Sequence, residues 1–197
     1  MPMETTLIAG EPVITETLLN TTFTIAVNAF FQTNTHQAAV LFQTLLDVAE
    51  FTPRDRVLDL YCGTGTIGLL VAPHVGHVIG IESIPEAIEN AKQNATNNGI
   101  ANCEFYAGRV KNLLKFNQYD PDVIIVDPPR SGLVPKALRR LIEQDPTTIL
   151  YISCNPSTLL RDLAIIRDAG YRVTRFIPVD MFPHSFHLEC IVKLCKS

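Results

Sequence analysis

The sequence lacks several features, and each absence excludes something. Its 197 residues contain no CxxC pair and no lysine or arginine before Arg54. They also show no low-complexity tract, no internal repeat and no run approaching the roughly 20 apolar residues that a membrane helix needs. Five unpaired-looking cysteines (Cys62, Cys103, Cys154, Cys190 and Cys195) are an odd set, which argues against a disulfide framework. An N-terminus without a basic region does not read as a secretory signal, so the cytoplasm is the expected compartment. His184, His187, Cys190 and Cys195 crowd together. On a strand, however, 187 and 190 face opposite sides, and no standard zinc spacing is present, so no metal is expected.

What is present describes an ordinary globular chain. Apolar residues make up 47% and charged residues 18%, enough to build one core unaided. The net charge of −4 disfavours a generic nucleic-acid binder. Its distribution is uneven: residues 1–108 hold three basic side chains against eleven acidic, and residues 109–197 hold thirteen against nine. A basic face in the second half could hold a polyanion.

Residues 1–29 read as an N-terminal extension. Partial alternation over Val13–Leu18 and Thr22–Val27, with Asn20 between, predicts a short hairpin. From Thr35 apolar residues recur at helical spacing to Ala49, with Thr33, Asn34 or Thr35 as caps and Pro53 as the stop. Strands then alternate with helices. Strands are expected at 56–61, 77–82, 103–107, 122–127 and 147–153, and helices near 66–72, 85–98, 110–116, 134–144 and 157–169. Gly99 and Gly170 stand where helix C-caps belong. Two further β-like runs, 171–179 and 187–194, close the chain. Five βα units and a terminal pair imply an α/β fold over 30–197 with a mostly parallel seven-stranded sheet. The last strand returns by a short loop and must pair antiparallel.

Val57–Gly68 combines a strand, a glycine-rich turn and a helix start. Gly63, Gly65 and Gly68 let backbone N–H groups approach a ligand, and Glu82 ends the next strand where a carboxylate can take ribose hydroxyls. The spacing also fits a dinucleotide fold, so this segment alone leaves NAD and S-adenosylmethionine both open. Two features separate them. Asp59, ahead of the glycines, can face the ammonium group of S-adenosylmethionine. Asp127-Pro-Pro-Arg130 is a rigid turn that sets Asp127 beside the cofactor and Arg130 near its rim; a helix N-cap or plain turn former is the lesser alternative for Asp127 alone.

Tyr151-Ile-Ser-Cys-Asn-Pro156 is an apolar strand that stops in a cysteine at a helix start. The helix N-terminus and Pro156 favour a thiolate on Cys154 there. A buried structural cysteine is the alternative.

Five stretches now stand in one order: Phe30-Phe-Gln-Thr-Asn34, Asp59-Leu-Tyr-Cys-Gly-Thr-Gly65, Asp127-Pro-Pro-Arg130, Ser153-Cys-Asn-Pro156 and Asp180-Met-Phe-Pro-His184 with His187-Leu-Glu189. In this the chain resembles the RNA uracil-5 methyltransferases, which make 5-methyluridine in tRNA or rRNA. The resemblance implies a Rossmann-like class I methyltransferase catalytic domain that uses S-adenosylmethionine. It implies Cys154 as the nucleophile that adds to uracil, Glu189 as the general base and Asp127 between cofactor and base. It further implies cofactor contacts from Gln32, Tyr61, Thr66, Glu82 and Asp127. The chain departs from the family at Gly108-Arg109-Val110, where relatives often place an adenine-binding acid or amide. The family's usual N-terminal RNA-binding barrel and further RNA-binding subdomain have no counterpart here. A catalytic fragment, or a protein whose RNA grip comes from elsewhere, is therefore expected.

Three other readings compete. A methyltransferase acting on an amine nitrogen or another base atom can use an Asp-Pro-Pro turn but needs neither Cys154 nor Glu189. A cofactor-binding scaffold whose RNA modules are lost would bind S-adenosylmethionine without methylating RNA. An NAD-dependent oxidoreductase has no need of Asp127–Arg130 or Ser153–Pro156.

Overall fold

A computed structural model describes residues 8–26, 29–115, 118–185 and 188–197. Strand β1 (Val13–Leu18) turns at Leu19-Asn20, both at positive φ, into the antiparallel β2 (Thr21–Ala26). Two left-handed residues are what a tight hairpin turn requires. Helix α1 (Thr35–Ala49) follows, and the Asn34 side chain caps it by accepting from the Gln37 N–H at 3.1 Å. Pro53 does not end this helix, contrary to expectation. It stops at Ala49, with Glu50 left-handed at φ 59°. Lys193 supplies the reason: its buried ammonium donates to the Ala49 carbonyl at 3.2 Å and pairs with Glu50. A cation at a helix C-terminus meets the carbonyls left without helical partners.

The remaining elements alternate. They are β3 (Arg56–Leu60), α2 (Thr66–Val71), β4 (His77–Glu82), α3 (Pro85–Asn97), β5 (Cys103–Ala107), α4 (Val110–Leu113), β6 (Val123–Val126), α5 (Pro135–Ile142), β7 (Thr148–Ser153), α6 (Pro156–Asp168), β8 (Tyr171–Val179) and β9 (Glu189–Lys196). Helix α4 is a single turn rather than the 110–116 expected, and Phe116 lies outside the described residues. Gly99 and Gly170 have φ of 65° and 96° just past α3 and α6, as C-cap chemistry requires.

Seven strands form one sheet in the order β5-β4-β3-β6-β7-β9-β8. Strands β3 to β7 pair in parallel, and β9 runs antiparallel between β7 and β8. Both faces are covered. Val57, Val78, Ile125, Leu150 and Ile152 pack toward α1, α2, α3 and the hairpin. Leu58, Ile81, Val126, Ile149 and Tyr151 pack toward α4, α5 and α6. Alternate residues of each strand thus enter two separate cores, each buried aliphatic contributing about 1.5–3 kcal/mol. Strand order reverses between β3 and β6, and the crevice at that reversal is where open α/β sheets hold ligands. No described helix is long and apolar enough to cross a membrane.

The hairpin is fastened by three asparagines one helical turn apart, two on α3 and one at its C-cap. The Asn90, Asn94 and Asn98 carbonyls accept from the Ala26, Thr24 and Thr22 N–H groups at 3.1, 2.8 and 2.9 Å. Asn94 and Asn98 also donate back to Thr24 and Thr22 at 3.2 and 2.7 Å. The helix edge therefore completes the ladder of β2 as another strand would, and the fully buried Asn94 also donates to the Thr64 carbonyl at 3.4 Å.

Candidate active site

The glycine-rich turn joins β3 to α2. Tyr61 takes φ 65°, rare for a residue with a side chain, while its N–H and that of Cys62 donate to the Ile81 carbonyl at 2.9 and 3.2 Å. Gly65, at φ 80°, has no alternative: a Cβ there would stand 3.0 Å from Ala91 and 3.1 Å from Phe105. Gly63, at φ 54°, differs, because a Cβ there would meet nothing within 4 Å. The loop is thus packed tightly on its Gly65 side and open on its Gly63 side. Thr66 begins α2, its hydroxyl 3.2 Å from that of Thr64.

Asp59 lies beneath this loop, fully buried. One carboxylate oxygen accepts from the Gly68 N–H at 2.9 Å, and the other has no partner among the described residues. Burial raises its pKa to about 7 despite the Gly68 N–H, and Glu82 adds to the rise. At the end of β4, Glu82 folds one oxygen onto Ser83 Oγ at 2.9 Å and the Ile84 N–H at 3.0 Å. Tyr61, Ser83, Arg109, Val110, Lys111 and Val134 line a cavity of about 240 Å³ beside these residues. Of this lining, Ser83, Lys111 and Val134 were not singled out from sequence. A larger cleft of about 520 Å³ is lined by the hairpin turn, α1, Pro73 and His74, and none of the reactive residues reaches it.

Asp127, Cys154 and Glu189 arrive at the same edge from three strands. Asp127 follows β6, and its N–H donates to the Leu60 carbonyl at 3.4 Å. Cys154 follows β7, and Glu189 opens β9. The antiparallel pairing Ser153↔Cys190 sets Cys154 beside Glu189 at the end of that ladder. Burial raises Asp127 to about 8, with Glu189 and then Asp59 adding repulsion. Glu189 rises to about 7 by burial, with Arg130 acting against it.

Cys154 corrects the expectation of a favoured thiolate. Its pKa is raised, first by burial and then by Glu189; the Arg130 guanidinium, which bonds the sulfur, only partly offsets this. The cation beside the thiol is therefore Arg130 from the loop after β6. The α6 N-terminus, which sequence reasoning credited, is already occupied by Asn155, whose side chain accepts from the Ser157 N–H at 3.1 Å.

Gln32 sits half-buried in the segment before α1. Asn34 ties that segment to the β8–β9 connection by donating to the Met181 carbonyl at 2.9 Å. His187 and Phe186 lie outside the described residues. Among the described residues no group of three His, Cys, Asp or Glu is placed to hold a metal ion.

The family model for tRNA (uracil-5-)-methyltransferases matches residues 13–197, hairpin included. An RNA methyltransferase of Caldanaerobacter subterraneus, named as uncharacterized, is 44% identical over 95% of this chain and 42% of its own length. One from Clostridium tetani, also uncharacterized, is 46% identical over 95% of this chain and 41% of its own. The crystal structure of the Pyrococcus abyssi tRNA (uracil-54, C5)-methyltransferase in complex with S-adenosyl-L-homocysteine superposes with a TM-score of 0.81. It shares 36% identity and covers 94% of this chain and 45% of that one. The chain thus spans less than half the length of these relatives.

Proposed function

Because this chain belongs to the tRNA (uracil-5-)-methyltransferase family, we propose that it carries the catalytic site for methylating carbon 5 of a uridine in RNA, with S-adenosylmethionine as donor. The observation that carries this reading is the convergence of a cysteine and two carboxylates of raised pKa beside a glycine-rich turn with an open side.

The residues fit such a cofactor. The turn is open on the side where a Gly63 Cβ would stand, Thr66 and Gly65 shape it, and Tyr61 flanks the cavity. Glu82, at the end of β4, is the carboxylate for the ribose hydroxyls; Arg109 lines the cavity but departs from the acid or amide that relatives offer to adenine. The unpartnered oxygen of Asp59 is an acceptor that an ammonium group would complete. Gln32 covers from outside the sheet. When bound, S-adenosylmethionine supplies an electrophilic methyl group.

Carbon 5 of uracil is too weak a nucleophile to take that methyl directly. Addition of the Cys154 thiolate to carbon 6 moves the double-bond electrons onto carbon 5 and the O4 enolate. A protonated Asp127, favoured by its pKa of about 8, donates a hydrogen bond to the uracil edge. Carbon 5, once methylated, keeps its proton until Glu189 removes it as a carboxylate. The returning electron pair then expels the Cys154 thiolate and restores the ring double bond. The base has to leave its stack to reach these groups.

The test is RNA containing 5-fluorouridine, incubated with S-adenosylmethionine. Fluorine in place of the carbon 5 proton blocks the last step, so a denaturation-resistant protein–RNA adduct is expected, and none with Cys154→Ala. Methylation of normal RNA without any adduct overturns the reading.

A further inference from the structure

The loop after β6 is cast against α6 by a buried carboxylate that the chemistry above does not use. Asp162 is fully buried, two helical turns beyond Cys154. One of its oxygens accepts from the Leu133 N–H and the Tyr151 hydroxyl, both at 2.8 Å. The other accepts from Arg161 Nε and Nη2 at 2.9 and 2.8 Å. Arg161 then donates to the Ser131 and Leu133 carbonyls at 3.2 and 3.1 Å. Gly132, at φ 70°, lets the loop sit this close: a Cβ there would stand 2.8 Å from the Asp162 carboxylate. The Arg130 carbonyl is held in turn by Asn155 Nδ2 at 3.0 Å and the Thr158 hydroxyl at 3.2 Å. A buried carboxylate is costly unless hydrogen-bonded, and here the loop's Leu133 N–H joins Tyr151 and Arg161 in satisfying it.

We propose that Asp162 is a positioning residue for Cys154: it fixes the backbone of residues 128–134 so that the Arg130 guanidinium meets the Cys154 sulfur. Tyr151 and Arg161 complete the mould. The charged groups facing the sulfur are Arg130, Glu189 and Asp127, and Arg130 alone favours the thiolate. A loop that loosens leaves Cys154 between two carboxylates without its cation. The proposal rests on Cys154 as nucleophile, but its test needs no RNA.

The test is alkylation of Cys154 by iodoacetamide in the ligand-free protein, followed by peptide mass spectrometry over roughly pH 6–10, which brackets thiol ionisation. Asp162→Asn is expected to slow Cys154 alkylation at about pH 8 roughly threefold or more and to move the midpoint upward. Arg130→Met is expected to do the same, and the double variant to add nothing to either, because both changes remove one cation. Tyr151→Phe, which deletes a single bond to the carboxylate, keeps the test open should Asp162→Asn not fold. It is expected to shift the midpoint less, in the same direction. An unshifted profile in Asp162→Asn or, failing that, in Tyr151→Phe overturns the proposal, as do additive shifts in the double variant. Unshifted alkylation in a protein that still forms the 5-fluorouridine adduct removes the positioning role and leaves the function. A shifted profile in a protein that methylates without Cys154 does the reverse.

Discussion

Cys154 and Glu189 stand side by side where β7 and β9 end their antiparallel ladder, and the Glu189 carboxylate resists ionisation of the thiol. Burial keeps both groups protonated more readily than in water, and an ionised Glu189 raises Cys154 further. The pair accommodates one negative charge better than two. That suits a cycle in which the thiolate is consumed by addition before the carboxylate is needed as base.

Glu189→Gln keeps the volume and the neighbours but cannot take a proton. On normal RNA with S-adenosylmethionine, this variant is expected to accumulate the covalent protein–RNA complex, with turnover falling by about 10²–10⁴. Denaturing gel electrophoresis reads the complex directly. Fast turnover without accumulation removes Glu189 from the base role.

The pH dependence of activity follows from the same two groups. Glu189 acts ionised, so kcat/KM is expected to rise as pH passes about 7. The raised Cys154 pKa favours a further increase on the alkaline side, opposed as Asp127 loses its donated proton near pH 8. A profile that does not rise as pH passes about 7 contradicts the Glu189 assignment.

Stability runs the opposite way. Asp127 has a folded pKa of about 8 against 3.8 for an unperturbed carboxyl, so the folded protein binds its proton more tightly than the unfolded chain. The associated stability is complete below the lower value and is lost as pH rises through the upper one. Asp127→Asn is therefore expected to melt about 3–6 °C higher than the parent near pH 8 and at the same temperature near pH 4. Thermal melting at the two pH values checks this; equal melting temperatures near pH 8 refute it.

The two loop glycines are expected to fail differently. Gly65→Ala drives a Cβ to 3.0 Å from Ala91 and 3.1 Å from Phe105, so the fold itself should lose about 2 kcal/mol or more. Gly63→Ala meets open space and should cost about 1 kcal/mol of left-handed strain, yet weaken S-adenosylmethionine binding by filling the open side. Calorimetric binding set beside melting distinguishes the two. Undiminished affinity in Gly63→Ala removes the cofactor from that side of the loop.

Asn94→Ala strips partners from the Thr24 N–H and carbonyl and from the Thr64 carbonyl at once. A loss of about 2–3 kcal/mol is expected, with reduced S-adenosylmethionine affinity because Thr64 belongs to the glycine-rich turn. Chemical denaturation and binding titration check the two effects. A change in stability alone disconnects the hairpin from the loop.

Much of this was legible in sequence for physical reasons. Alternating apolar runs and caps located the strands, and Asn20, Gly99 and Gly170 marked turns because left-handed backbone has few tenants. Legibility failed where an element depends on a distant partner. The end of α1 is set by Lys193, from the far end of the chain, rather than by nearby Pro53. Asn90, Asn94 and Asn98 form a visible stripe at helical spacing, but nothing local says that a strand edge will occupy it.

The stretch Ser153–Pro156 shows the same division. Sequence alone determined that a cysteine ends an apolar strand at a helix start, because hydrophobic pattern and Pro156 are local signals. Only tertiary structure decided the charge around it. Glu189, Asp127 and Arg130 are remote in the chain or on another strand, and electrostatics depends on distance and burial, which no spacing encodes. The thiol lies above its ordinary range for that reason, and the one favourable cation reaches it through a loop moulded on Asp162.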